Sequence, residues 1–462
     1  MSKQNVIAVF DIGKTNKKLL LLNEEYEIVF EQSLKFNEVK DEQGFPCEDV
    51  FALTEWIKVS LAAVLSIDYA EVKAINFSAY GASFVHIDKK AVPIAPLYNY
   101  LKPFPEKLRQ QFYNEYGGEM HFSQITASPV LGNLNSGLQL YRLKYELPAL
   151  FNEIVCSLHL PQYLSSIFTQ KNYSDITSIG CHTALWDFQR NCYHDWVYKE
   201  NISGKLANII PSDEVVSSKW NWHILQIGIG MHDSSAALIP YLLNFTEPFI
   251  LLSTGTWNIS MNPFNQAKLT EEELRNDCLC YMGYKGNQVK ASRLFAGYEH
   301  EAQTKKLSEY FSVSADYYKS IQFDAAIVSK LSELPDFISN SQDSMLKQSV
   351  FSQRMLSGFD EYKTAYHQLM LDIIGQQVFS TNLLLGNTGT KRIFVDGGFS
   401  KNNVFMHLLA LAFPRAEVYA ATVAQASAIG AALAIHKYWN DKPIPTDMIE
   451  LKLYSAKHDS FA

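Results

Sequence analysis

The strongest constraint in the sequence is a unit that occurs twice. Residues 6–10 form an unbroken apolar run, the polar turn Asp11-Ile12-Gly13-Lys14-Thr15-Asn16-Lys17 follows, and a second apolar run occupies 19–22. Near the middle of the chain, apolar residues 249–252 lead into Ser253-Thr254-Gly255-Thr256. Short apolar runs bounded by turn signals predict buried strands, so each unit reads as strand–turn–strand. Two such units half a chain apart imply two related lobes, 1–244 and 245–462. Direct identity between the halves is weak, so the repetition lies in pattern rather than in letters.

The rest of the chain fits that frame. Helical spacing of Phe51, Leu53, Trp56, Ile57, Leu61 and Val64 predicts a helix over 50–66. Strands are expected at 26–32, 74–78, 84–87, 225–229 and 392–395. Helices are expected at 139–152 (limited by Pro148), from 231, at 402–413 and at 422–437. The last carries Ala424, Ala426, Ala428, Gly430, Ala431 and Ala432, small residues that let another backbone come close. This alternation specifies an α/β fold.

Composition excludes several classes. Of 462 residues, 47% are hydrophobic and 19% charged, with 28 Phe and 25 Tyr, so a disordered chain is ruled out. The formal net charge is −8 with no basic patch, which leaves no electrostatic basis for nucleic-acid binding. An anionic ligand would therefore need local positive groups or a metal. The six cysteines contain no CxxC pair, and Cys278 with Cys280 is only a CxC, so they read as reduced thiols. The run at 6–10 is too short for a signal-peptide core, and no stretch reaches the roughly 18 apolar residues a membrane span needs. A cytoplasmic protein without a membrane partner is expected. The 12 histidines are dispersed and read as surface or core residues.

Four motifs carry chemistry. Asp11 ends a strand where a carboxylate could hold Mg²⁺, and the turn after it aims backbone N–H groups and the Thr15 hydroxyl at an anion. An ordinary Asp hairpin fits that string equally well. It is not a P-loop, because Ala8 stands where the first glycine is required. Asp233, at a helix start after Gly230-Met231-His232, could take a proton from an attacking hydroxyl. Taken locally, a helix-capping Asp is the better reading. Gly228-Ile229-Gly230 is not a dinucleotide fingerprint, since its sixth position is Asp233. Ser253-Thr254-Gly255-Thr256-Trp257 could wrap phosphates, and Asp396-Gly397-Gly398 could let a flat ligand approach backbone. Plain turns explain both as well.

In combination, these blocks resemble the FGGY carbohydrate kinases over nearly the whole chain. The resemblance rests on Asp11-x-Gly13 with Lys18, on Gly230–Asp233 with Ser234-Ser235-Ala236-Ala237, on Ser253–Trp257, and on Asp396-Gly397-Gly398 with Asn402 and the Ala426–Ala432 run. It implies two actin-like (ribonuclease-H-like) lobes with ATP and a sugar between them. It implies transfer of the γ-phosphoryl to a sugar hydroxyl, with Asp233 as general base and Asp11 at Mg²⁺. Gly13, Thr15, Lys18, Thr254, Gly255, Gly397, Gly398 and Asn402 would meet ATP. Tyr80-Gly81-Ala82-Ser83-Phe84-Val85 is similar to the substrate-reading segment of rhamnulokinases, which makes Gly81 and His232 substrate contacts and L-rhamnulose the expected sugar. L-fuculose, L-ribulose and D-xylulose are the alternatives, and a non-catalytic sugar-binding regulator is the rival from another class. Gln425 stands where many members have Glu. The resemblance also admits a homodimer.

Overall fold

The computed structural model describes residues 3–332, 350–423 and 425–455. In the first half the strands are β1 (Gln4–Ile12), β2 (Lys17–Asn23), β3 (Ile28–Leu34), β4 (Ala70–Ala79), β5 (Val215–Trp220), β6 (His223–Gly228) and β7 (Met231–His232). They form one seven-stranded sheet in the order β5-β6-β4-β1-β2-β3, with β7 beside β4. In the second half β8 (Phe249–Thr254), β9 (Asn258–Asn262), β10 (Cys278–Met282), β11 (Gln288–Leu294), β12 (Arg392–Gly397), β13 (Glu417–Thr422) and β14 (Glu450–Tyr454) form another, in the order β10-β11-β9-β8-β12-β13-β14.

The two sheets share a plan. In the first, β1, β2 and β3 make an antiparallel meander, and β4 and then β6 continue it in parallel. In the second, β8, β9 and β11 make the meander, and β12 and β13 continue it in parallel. The expected pair of actin-like lobes is therefore present, and the turn after β1 corresponds to the turn after β8.

Both faces of each sheet are covered, which explains why the strands read as continuous apolar runs. Successive side chains alternate in direction, so Ile7 and Val9 enter one core while Val6, Ala8 and Phe10 enter another. The outer core of the first sheet is closed by α1 (Val50–Leu65) through Leu53, Ile57 and Leu61, and by α2 (Leu160–Thr169). Asp49 caps α1 by accepting from the Phe51 and Ala52 N–H groups.

Between the sheets lie α3 (Asp233–Asn244) and, later in the chain, α7 (Ala426–Ala434); α4 (Ala296–Tyr310), α5 (Tyr362–Leu385) and α6 (Asn403–Ala412) cover the second sheet's other face. Ile7, Val9, Ala236, Ile239, Leu251, Phe394, Ala428 and Ala432 share one core drawn from both halves. There the helices touch backbone to backbone, and a Cβ on Gly430 would overlap the Ala236 carbonyl. That carbonyl is free to face outward because Pro240, four residues on and inside α3, has no N–H to donate to it.

Several expected elements shift. The helix expected from 231 begins at Asp233, because Met231 and His232 pair with Ser78 and Ala79 as β7. The predicted helix 139–152 breaks at Leu147 into Ser136–Glu146 and Pro148–Glu153, because Pro148 cannot continue the helix bonding. The predicted strand 26–32 runs Ile28–Leu34, since Tyr26 is left-handed at φ 64. The helix predicted over 422–437 begins at Ala426, since Thr422 belongs to β13 and Gln425 is left-handed; Ala424 lies outside the described residues. Gly430→Val should lower stability by about 1–3 kcal/mol, the usual cost of overpacking. A urea midpoint equal to that of the unsubstituted protein would show that the helices can part at no cost.

Candidate functional site

Asp11 is the penultimate residue of β1, and Asp233 is the first residue of α3. The two carboxyls face one another closely enough that Asp233 raises the Asp11 pKa. Burial is the main cause of the shift at Asp11, which stands at about 6. The Ser427 hydroxyl donates to Asp11 Oδ2 at 2.9 Å and opposes the shift. Ser427 belongs to α7, so residues from both halves of the chain meet at this carboxylate. Asp233 also stands at about 6, again through burial, although 35% of its side-chain surface remains open. His232, not Asp233, is the N-cap of α3 and makes no capping bond from its side chain. Asp233 Oδ1 accepts from the Ser234 N–H at 2.6 Å, and Oδ2 makes no hydrogen bond among the described residues.

His232 Nε2 lies 3.2 Å from Asp233 Oδ1 and 3.3 Å from Cys181 Sγ. Burial holds the imidazole at about 4, so at neutral pH it is uncharged. Gly81 packs on this ring, and a Cβ there would lie 2.9 Å from His232 Cδ2. The expected substrate contacts thus meet, but His232 is buried beneath Asp233 rather than open to the cleft.

Four of the twelve histidines, distant in sequence, group together. His159 lies within electrostatic reach of His86, His182 and His232, and burial depresses His86, His159 and His182 to about 3. His159 Nε2 is 3.0 Å from the Ser136 hydroxyl. His182 Nδ1 donates to the Leu134 carbonyl at 3.2 Å, which leaves Nε2 as an acceptor. Sequence reasoning missed His86, His159 and His182 because they stand 51 or more positions before Asp233. Tyr100 was missed too; its phenol is raised by burial and then by the charge of Asp233.

In the first turn Thr15 is exposed, and the Gly13 N–H donates to the Asn16 carbonyl at 2.9 Å. Lys18 pairs with Glu31 at 3.0 Å while lowering the Asp11 pKa. In the second turn Gly255 and Thr256 are exposed. The Thr254 hydroxyl is committed to the protein, donating to the Asp396 carbonyl at 2.5 Å and accepting from the Phe399 N–H at 2.9 Å. It locks the turn after β8 to the turn after β12. Gly397, at φ 88, lies so close to the Thr254 carbonyl that a Cβ would overlap it, and Gly397 and Gly398 are both exposed. Asn402 caps α6 by accepting from the Phe405 N–H at 3.0 Å, and its amide donates to the Tyr366 hydroxyl at 2.8 Å. The structure therefore gives Thr254 and Asn402 structural bonds, commits the Gly13 N–H to its own turn, and leaves Gly255, Gly397, Gly398 and Thr15 exposed. A cavity of about 670 Å³ opens nearby, lined from both halves by Met120, Leu131, Trp257, Arg293 and Phe295.

A buried carboxylate pair raised toward neutrality beside exposed glycine turns can accept a proton and surround phosphates. Two family models match the chain, "FGGY family of carbohydrate kinases, N-terminal domain" over 6–231 and "Carbohydrate kinase FGGY, C-terminal domain" over 246–443. The chain belongs to the FGGY family of carbohydrate kinases. It is 20% identical over 269 residues to a rhamnulokinase of Halalkalibacterium halodurans, covering 55% of this chain and 56% of that one. The chain thus spans about half the length of the curated relatives it matches. Among solved structures, a carbohydrate kinase from Novosphingobium aromaticivorans matches with TM-score 0.79 at 21% identity, covering 98% of this chain and 95% of that one. A xylulose kinase from Rhodospirillum rubrum matches with TM-score 0.79 at 15% identity, covering 98% and 94%. These likenesses confirm the fold. FGGY kinases use ATP as phosphate donor, and no described helix is long and apolar enough to cross a membrane.

A base must be unprotonated to work, so if this carboxylate pair supplies one, turnover should rise with pH through an apparent value of about 6 that belongs to the Asp11–Asp233 pair. A kcat/KM profile flat between pH 5 and 7 would contradict it.

Proposed function

We propose that the chain transfers the γ-phosphoryl group of ATP to a hydroxyl of a ketose, with L-rhamnulose as substrate and Asp233 as general base. The observation that carries the base assignment is the Asp233 carboxylate itself. It stands at a helix start with one oxygen held by the Ser234 N–H and the other open, and burial raises it to about 6. A base poised near the working pH combines the right protonation state with adequate driving force. The sugar assignment draws on the Tyr80–Val85 segment and on the relative named rhamnulokinase.

Asp11 fits Mg²⁺. It offers a hard carboxylate oxygen beside a second carboxylate, and a divalent cation would relieve their repulsion. No described cluster of three or more His, Cys, Asp or Glu could hold a metal alone, so phosphate oxygens and waters would complete the shell. When bound, the ion offsets charge on the phosphates. The Gly13–Asn16 turn, open at Thr15 and Asn16, and the exposed Gly255–Thr256 turn would receive phosphates, and Gly397 and Gly398 the adenosine end. Lobes 1–244 and 245–462 meet at the end of α3, and their closure would exclude water from the phosphoryl group. The protein would act in the cytoplasm, as a monomer or homodimer.

ADP release with Mg-ATP across L-rhamnulose, L-fuculose, L-ribulose, D-xylulose and glycerol tests the reading. Strongest stimulation by L-rhamnulose supports it, stimulation by another sugar reassigns the substrate, and none by any favours a non-catalytic regulator. Asp233→Ala should cut kcat by about 10²–10⁴ with sugar affinity little changed. Near-normal turnover would remove it as the base. Asp11→Asn should raise the Mg²⁺ concentration needed for half-maximal activity, and an unchanged requirement would exclude it as a ligand.

A further inference from the structure

Three polar side chains are buried where the strands carrying the first turn and the sugar-reading segment end. Lys17 is 2% exposed, Glu48 5% and Tyr80 7%. The Lys17 ammonium pairs with Glu48, and the Tyr80 hydroxyl donates to the same carboxylate. Lys17 also donates to the Gly13 carbonyl at 3.1 Å and to the Lys14 carbonyl at 3.0 Å. All three of its N–H donors are thereby used.

These bonds orient the first turn. In a trans peptide the carbonyl and the following N–H point in opposite directions. Drawing the Gly13 and Lys14 carbonyls inward to Lys17 turns the Lys14 and Thr15 N–H groups outward, toward an anion over the turn. At the other end of the triad, Tyr80 precedes Gly81, which rests on His232. The chain of contact thus runs from the ring beneath Asp233, through Tyr80 and Glu48, to the carbonyls of the phosphate turn. A buried Lys–Glu pair carries a desolvation cost that an apolar pair would avoid, so it is poor as mere glue.

We propose that Lys17, Glu48 and Tyr80 are positioning residues that couple the sugar-reading turn to the first phosphate turn, so that a ligand at one orders the other. This rests on the reading of 13–16 as a phosphate turn. The Tyr80 N–H also donates to the Ile12 carbonyl at 3.1 Å, a backbone bond that side-chain variants leave in place.

Hydrogen–deuterium exchange of the full chain with and without Mg-ADP tests the coupling without depending on which sugar is the substrate. In the unsubstituted protein Mg-ADP should slow exchange both in 12–18 and in 79–84. Tyr80→Phe removes only the hydroxyl, and Glu48→Gln only the charge. In each, protection of 12–18 should persist while that of 79–84 falls at least tenfold. A role confined to stability would speed exchange equally with and without Mg-ADP, and that outcome overturns the proposal. So does protection of 79–84 that survives both substitutions, or its absence from the unsubstituted protein. Absence of protection at 12–18 as well would remove the phosphate-turn reading and the coupling with it.

Discussion

The contact on which the site depends is the one between the Ala236 carbonyl and Gly430, where α3 and α7 meet backbone to backbone. It fixes two helices whose N-termini open on the same pair of carboxylates. α3 begins with Asp233, and Ser427 in the first turn of α7 donates to Asp11. Had either helix carried a larger residue there, the axes would separate and the carboxylates would lose their shared setting. Pro240 completes the arrangement by leaving the Ala236 carbonyl without its helical donor.

The site is electrically divided. Four histidines are held neutral by burial, and two carboxylates are raised to about 6 by burial, Asp11 also by the charge of Asp233. Neutral imidazoles can each donate and accept, which suits hydroxyl groups better than a fixed charge does. Raised carboxylates suit proton transfer. One physical cause, exclusion of water by the surrounding cores, therefore produces opposite shifts in the two residue types and gives each end its chemistry.

Much of this was legible in the sequence. The strands ending at Asp11, Thr254 and Asp396 announced themselves because buried parallel strands are continuous apolar runs and their ends need Gly or Asp. α5 was not legible. Tyr362, Ala365, Tyr366, Leu369 and Ile373 are buried along its first half, but the stripe is then broken by Gln377 and Thr381, which turn inward against Asn258 and Ser260. The histidine group was hidden because its members come from separate elements and meet only through the topology. Lys17, Glu48 and Tyr80 were hidden because Lys and Glu are ordinarily surface residues. Thr254 and Asn402 show the converse: they lie in the expected turns, but their polar atoms hold backbone rather than face the cleft.

With a net charge of −8, a chain acting as proposed would have to receive a polyanion against its own field. The lysines of the first turn do not solve this simply. Lys14 faces Glu38, Lys17 is enclosed with Glu48, and Lys18 pairs with Glu31. Each positive charge is thus already balanced, and what the turn has left to offer is oriented N–H dipoles. The same is true of the second turn, where Gly255 and Thr256 are exposed and the neighbouring Arg293 is bound to Asp277 at 2.7 Å. On the proposed reading, attraction for phosphate would come from backbone amides, from the starts of α3 and α7, and from the cation that Asp11 suits. Such a site gains its strength only when its turns are correctly set, which is why side chains that orient peptide planes matter more here than side chains that carry charge.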